Sequence, residues 1–191
     1  MHNQTATSAK RDSGNIILVG MMGAGKTTVG RLLAVQMDKT FVDCDEEIQQ
    51  RTGVTIMHIF DIEGEAGFRQ REAIALQELL KLNNIILATG GGAILNAANR
   101  DVMRSNGIVV YLKSAVTDLW QRTRHDRNRP LLQTDDPRAR LKEIHAQRNP
   151  LYEQTADLVM PTGKQNVHSL VHELVHELAR LGASVSEQAR S

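Results

Sequence analysis

Asn15-Ile16-Ile17-Leu18-Val19-Gly20-Met21-Met22-Gly23-Ala24-Gly25-Lys26-Thr27-Thr28 is the stretch that decides the fold. An apolar run leads directly into G-x-x-x-x-G-K-[ST], the pattern of a phosphate-binding loop between a buried strand and a helix. Main-chain N–H groups converge on an oligophosphate only where no side chain blocks the approach, and Gly20, Gly23 and Gly25 clear that space. The helix opening near Lys26 turns its positive end toward the same anion. Lys26 then supplies a mobile charge for the β- and γ-phosphates, and the Thr27 hydroxyl suits Mg²⁺. The strand before the loop and the helical pattern after it favour a nucleoside triphosphate site over a plain strand-to-helix turn.

Outward from this loop, short β-branched runs alternate with longer helical patterns. Strands are expected at residues 15–20, 40–44, 85–89, 108–112 and 156–160. Helices are expected at 26–37, 45–52, 56–61, 65–82, 97–106, 115–124, 136–148 and 167–181. The runs IILV, IILA and IVVYL are continuously apolar, as in strands covered on both faces, so the fold class is α/β with a parallel sheet between helical layers. Two stretches interrupt the alternation: a helical block from Asp45 to Leu82, and an Arg-rich, strand-free segment from Thr123 to Asp135. Long insertions beside a nucleotide site commonly hold the second substrate or close over it. Residues 1–14 read as a polar tail, 15–181 as one domain, and 182–191 as a fraying end.

With 191 residues and 41% apolar content, the chain suits a single core. A net charge of +1 gives no support for nucleic-acid binding through counterion release, and 3% aromatics leave little for base stacking. The substrate is expected to be small. One cysteine, Cys44, excludes an intrachain disulfide framework and fits a reducing compartment, where it reads as a small packed residue. Without a signal-like segment or a run long enough to span a bilayer, a cytoplasmic protein is expected, with no membrane partner.

Asp43 and Asp45 flank Cys44 at the end of the second strand. Alternation along an extended chain sends both to one side, where one carboxylate can hold hydrated Mg²⁺ and the other can orient or deprotonate a hydroxyl. The alternative, an N-cap pair opening the next helix, fits the spacing as well. The third strand runs into Thr89-Gly90-Gly91-Gly92, where bare backbone leaves room for a substrate ring. No acidic residue closes that strand, so Asp43 has to serve as the metal-side carboxylate. Arg69 and Arg148 suit an acidic small molecule, because a guanidinium matches a carboxylate in a bidentate fork, although spacing alone does not bring them together. Residues 122–130 hold four arginines within eight positions, a candidate cationic flap over a transferring phosphate.

Taken together, these segments resemble the shikimate kinase family. The resemblance is carried by GMMGAGKTTVGRLLA at 20–34, FVDCDEEI at 41–48, IFDIEGEAGFRQRE at 59–72, ATGGGA at 88–93, NRPLL at 128–132 and RNPLY at 148–152. It implies transfer of the ATP γ-phosphate to the 3-hydroxyl of shikimate in aromatic amino-acid biosynthesis, on a five-stranded parallel sheet in order 2-3-1-4-5. It also implies that Gly23, Ala24, Gly25, Lys26, Thr27, Thr28 and Arg122 bind ATP, with Arg122 over the adenine. Asp43 and Thr27 would hold Mg²⁺, Asp43 through water. Asp45 would bind the shikimate hydroxyls and accept the proton, Arg69 and Arg148 would clamp the carboxylate, and Gly90, Gly91 and Gly92 would pack against the ring. Arg129 would arrive on the 123–135 lid, residues 45–82 would bind shikimate, and the partners would be ATP and shikimate acting on a monomer.

Two competing readings arise. His172-Glu173-Leu174-Val175-His176 fits H-E-x-x-H, but the extended zinc pattern needs a glycine and then a third histidine at the positions where the chain has Ala179 and Gly182. A stripe of Leu170, Val171, Leu174, Val175 and Leu178 explains that helix as packing, with the histidines on an exposed face. A kinase of gluconate or of a nucleoside monophosphate, or a nucleotide switch without an acceptor pocket, would keep the phosphate loop and lose the other segments.

Overall fold

The apolar run ahead of the phosphate loop forms β1 (Ile16–Val19), and all four of its side chains are buried. The computed structural model describes residues 13–126, 129–163 and 165–183. Around β1 lie β2 (Thr40–Asp43), β3 (Ile85–Ala88), β4 (Ile108–Lys113) and β5 (Leu158–Pro161), paired in parallel in the order β2-β3-β1-β4-β5. This is the expected order. β1, β3 and all but the last residue of β4 are buried on both faces, which is why their sequences do not alternate. β2 and β5 are the edges and are more exposed.

Helices α1 (Lys26–Met37), α2 (Cys44–Thr52), α3 (Ile56–Leu79), α4 (Ala97–Asn106), α5 (Val116–Thr123), α6 (Pro137–Thr155) and α7 (Val167–Arg180) connect or flank these strands. Val29, Leu33, Ala34 and Met37 of α1 join one continuous core with the strands. Leu170, Val171, Leu174, Val175 and Leu178 of α7 are buried and its three histidines exposed, as the stripe required. Each such aliphatic side chain contributes about 1.5–3 kcal/mol through burial.

Three boundaries differ from the expectation. The helices read at 56–61 and 65–82 are parted, as expected, at Gly64, whose φ 68° and ψ −177° are not helical, but the second stops at Leu79. The helix read at 136–148 continues through Pro150 to Thr155, because Tyr152 and Thr155 are buried and packing outweighs proline's missing donor. β2 ends at Asp43, and Cys44 is already the first residue of α2. The N-terminal tail to residue 12, Arg127 and Asn128 of the Arg-rich segment, and the C-terminal end from residue 184 lie outside the described residues.

Because all five strands are parallel, their carboxyl ends open on one edge of the sheet, and the chain's direction of winding reverses at β1, between β3 and β4. A crevice at such a switch point is where open α/β sheets bind ligands.

Candidate active site

The loop after β1 leads into α1, whose N-cap, Gly25, sits at φ 93° and makes no side-chain capping bond. No acidic residue occupies the first turn of α1, whereas α2, α3, α4, α6 and α7 all open on a side-chain cap. The first N–H groups of α1 therefore have no side-chain cap and belong to residues that line a cleft, where an anion can satisfy them. A Cβ at Gly25 would meet nothing within 4 Å. The other two glycines have a different reason: a Cβ at Gly20 would lie 2.8 Å from the Leu112 carbonyl oxygen, and one at Gly23 2.7 Å from the Thr123 methyl. They allow the loop to seat on β4 and α5 rather than clearing the phosphate itself.

Lys26 curls back over this loop and donates from Nζ to the carbonyls of Gly20 (2.8 Å) and Met21 (3.0 Å). Burial, with the nearby Arg129 and Arg148, lowers its pKa to about 8 against the opposing pull of Asp45 and Asp43. Thr27 Oγ1 donates to Asp43 Oδ2 at 2.8 Å. The other oxygen of Asp43 caps α2, accepting from the N–H groups of Asp45 (3.0 Å) and Glu46 (3.4 Å). Capping thus uses one oxygen of Asp43 and leaves the other on the Thr27 side, so the capping and metal-side readings do not exclude each other.

Asp45 reaches the same cleft from the first turn of α2, not by alternation along a strand. Its Oδ1 is buried without a hydrogen-bond partner. Burial and the Asp43 carboxylate raise its pKa, opposed by Lys26, Arg129 and Arg69.

Beside the phosphate cleft lies a cavity of about 500 Å³ lined by Asp45, Arg69, Glu72, Gly90, Gly91, Gly92, Arg129 and Arg148, with Met22, Ile56, Phe60 and Phe68 among its apolar walls. Arg69 and Arg148, which spacing left unconnected, therefore meet. Arg69 is braced by Glu72 (2.7 Å) and Glu65 (3.0 Å). Arg148 is 3% exposed, and its Nε and Nη1 have no hydrogen-bond partner. Burial lowers the pKa of this guanidinium. A buried cation with two idle donors is a strong demand for an anion.

The glycine turn is packed against these side chains: a Cβ at Gly90 would collide with Glu72, and one at Gly92 with the Arg69 guanidinium. Met22, Asp45, Gly91 and Arg129 border both cavities. Arg129, at the start of the short turn Pro130–Leu132, pairs with Asp126 at 2.8 Å. Arg122 lines the phosphate cleft, donates to the Gly23 carbonyl at 3.1 Å, and also lines a side pocket with Thr162, Gly163, Gln165 and Val167. Thr28 lines both spaces, and Ala24 the side pocket.

Sequence reasoning missed several of these groups. Glu72 sits three residues after Arg69, a helix spacing that pairs opposite charges. Thr89 donates to the Leu18 carbonyl at 3.1 Å and lines the phosphate cleft. Thr162, Gly163 and Gln165 come after the carboxyl end of β5, where the crevice of a parallel sheet lies. Cys44 is fully buried, and burial raises its thiol pKa, which removes it from redox chemistry. Among the described residues, no cluster of three or more His, Cys, Asp and Glu can hold a metal ion, so H-E-x-x-H in α7 forms no zinc centre there. Also among them, no helix is long and apolar enough to cross a membrane.

An uncapped anion cradle adjoining an arginine-lined acceptor cavity on a 2-3-1-4-5 parallel sheet defines a phosphate-loop kinase acting on a small molecule. The sequence model of the family described as shikimate kinase matches residues 22–179. The chain belongs to the shikimate kinase family. It is 61% identical over 158 residues to the shikimate kinase of Nitrosospira multiformis, covering 83% of this chain and 81% of that one. It is 57% identical over 159 residues to that of Thiobacillus denitrificans, covering 83% and 86%. Among solved structures, shikimate kinase from Acinetobacter baumannii in complex with shikimate superposes with a TM-score of 0.86 at 44% identity, over 91% of this chain and 97% of that chain. A gluconokinase from Sinorhizobium meliloti, at 18% identity and a TM-score of 0.55, shares the fold.

Proposed function

We propose that the protein transfers the γ-phosphate of ATP to the 3-hydroxyl of shikimate, giving shikimate 3-phosphate and ADP. The observation that carries this reading is the junction: Asp45 and Arg129 border both cavities, while the buried, partly unpaired Arg148 waits in the acceptor cavity.

In this reading the main-chain N–H groups from Gly23 to Thr28 hold the phosphate chain. Lys26 exchanges its two carbonyl partners for phosphate oxygens, and the adenine enters the side pocket beside Arg122. Arg148 and Arg69 grip the shikimate carboxylate in forked hydrogen bonds, and the ring rests on Gly90, Gly91 and Gly92. Asp45 orients the 3-hydroxyl and takes its proton as the hydroxyl oxygen bonds to the γ-phosphorus and the bond to the β–γ bridging oxygen breaks. Its raised pKa suits a proton acceptor. Arg129 neutralises the three equatorial oxygens in the loose transition state.

The Thr27 hydroxyl and the Asp43 carboxylate, 2.8 Å apart, are hard oxygen donors of the kind Mg²⁺ takes sparingly from protein, with water and phosphate completing its shell. Mg²⁺ bound there would supply charge neutralisation for the transferring phosphate. Residues 45–82 serve as the shikimate-binding region and 123–135 as the lid, in a cytoplasmic monomer.

A coupled assay of ADP release tests the reading against shikimate, gluconate and nucleoside monophosphates. Release stimulated by shikimate alone supports it. Preference for another acceptor, or ADP release indifferent to all of them, overturns it.

A further inference from the structure

We propose that Tyr152 is a positioning residue that holds the glycine turn and Arg148 in one geometry, so that its hydroxyl sets the site's preference for a carboxylate. This rests on the shikimate reading of the cavity above.

Tyr152 lies one turn beyond Arg148 on α6 and is 1% exposed. Its hydroxyl donates to the carbonyl oxygen of Gly91, the central residue of the glycine turn. With its proton committed, the phenol oxygen keeps lone pairs that can accept from the Arg148 guanidinium one turn earlier on α6, and the two groups interact electrostatically. Gly91 is itself close to that guanidinium, since a Cβ built on it would lie 3.7 Å from Arg148 Nη1. One oxygen thus joins the backbone floor of the acceptor cavity to its buried cation. Arg148 Nε and Nη1 are buried without a partner and are available to a ligand.

The phenol is fixed in turn. Its ring stacks on Tyr111 of β4 with centroids 4.9 Å apart and 21° between planes. Tyr111 anchors the other end by donating to Asn149 Oδ1 at 2.8 Å. Burial pushes the Tyr152 hydroxyl pKa upward, so it stays protonated and remains a donor to Gly91. The length of α6 beyond Pro150 acquires a purpose from this. Had the helix ended at Arg148, nothing would carry a hydroxyl back beneath the turn.

Tyr152→Phe keeps the ring volume and the stack on Tyr111 and removes only the oxygen. The experiment measures binding of shikimate and of its methyl ester, whose carboxylate charge is gone, together with ADP binding and thermal unfolding. In the wild type, shikimate binds more tightly than the ester. In Tyr152→Phe that preference falls about tenfold, as expected for one lost hydrogen bond to a charged site, while ADP affinity stays within about twofold. Loss of affinity for both acceptors by one common factor, or a preference left intact beside a lowered melting temperature, makes Tyr152 merely structural and overturns the proposal. A double variant with Arg148→Lys keeps the test independent of folding losses: the two changes combine to less than their product if Tyr152 acts through Arg148, and full multiplicativity refutes the link. Wild-type protein that shows no affinity for shikimate would instead overturn the function on which the proposal rests.

Discussion

Burial raises the affinity of the Asp45 carboxyl for its proton, and the Asp43 carboxylate beside it adds to the effect. A carboxyl whose folded-state pKa lies above its unfolded value stabilises the fold fully only below the unfolded pKa, and that contribution is lost as pH rises through the folded value. Ionising this side chain, whose Oδ1 is buried without a partner, is therefore a cost to the folded state. Asp45→Asn keeps the shape and removes the charge. We expect it to raise the melting temperature at pH 7 and to lower turnover by about 10²–10⁴-fold, the usual worth of a positioned general base, with ATP affinity largely kept. Near-normal turnover in a steady-state assay would take the proton from Asp45 and give it to water or the substrate. Arg148 stands under the same tension, being buried and only partly paired. Both residues are legible in the sequence as charges, yet their burial is not, because burial belongs to the elements that close around them.

Those elements divide by how local their signals are. β1, β3 and β4 were readable because strands covered on both faces leave apolar runs without alternation. The capping of α2 by Asp43 was readable as one of two alternatives, and the structure gives one oxygen to the cap and the other to the Thr27 hydroxyl. The continuation of α6 past Pro150 was not, since it depends on packing of Tyr152 against β4. Nor was Glu72, whose importance comes from meeting a turn that follows another strand. That turn yields a prediction of its own. A Cβ at Gly92 collides with the far end of Arg69, a flexible side chain that can move aside only by loosening its pair with buried Glu72, so Gly92→Ala should fold with a lowered melting temperature. Displacing the guanidinium removes one arm of the carboxylate clamp, and the KM for shikimate should rise about tenfold or more with the KM for ATP unchanged. An unaltered shikimate KM would separate Arg69 from the clamp. In the proposed lid, Arg129 is partly exposed and pairs with Asp126 near the surface, so its loss costs the fold little. Arg129→Ala should lower kcat by about a thousandfold, the lower end for an arginine supplied to a phosphoryl transition state. Retained turnover with an intact thermal transition would remove the lid arginine from the chemistry.

Across the whole molecule, Lys26 receives the field of groups from separate stretches of chain: Asp43, Asp45, Arg129 and Arg148. The parallel sheet makes this possible by bringing distant strand ends to one edge, so a single lysine reports the charge balance of the entire crevice. In the ligand-free protein that balance, dominated by burial, leaves its pKa at about 8. A triphosphate adds several negative charges beside Nζ, favours the protonated form, and so binds the protonated enzyme in preference. The sign follows directly. Below about pH 8 the lysine is already charged and ATP affinity is flat with pH as far as Lys26 decides it. Above that value binding must also supply a proton, and affinity should fall toward about tenfold per pH unit. Calorimetric titrations at about pH 8.5–9 in buffers of different ionisation enthalpy should show close to one proton taken up per ATP bound, against a much smaller uptake at about pH 7. In Lys26→Met, where affinity is lower throughout, the proton uptake should vanish. A wild-type affinity that stays constant from about pH 7 to 9.5 would mean that the lysine keeps its ordinary charge in the empty site, and that the crevice holds far more water than its burial implies.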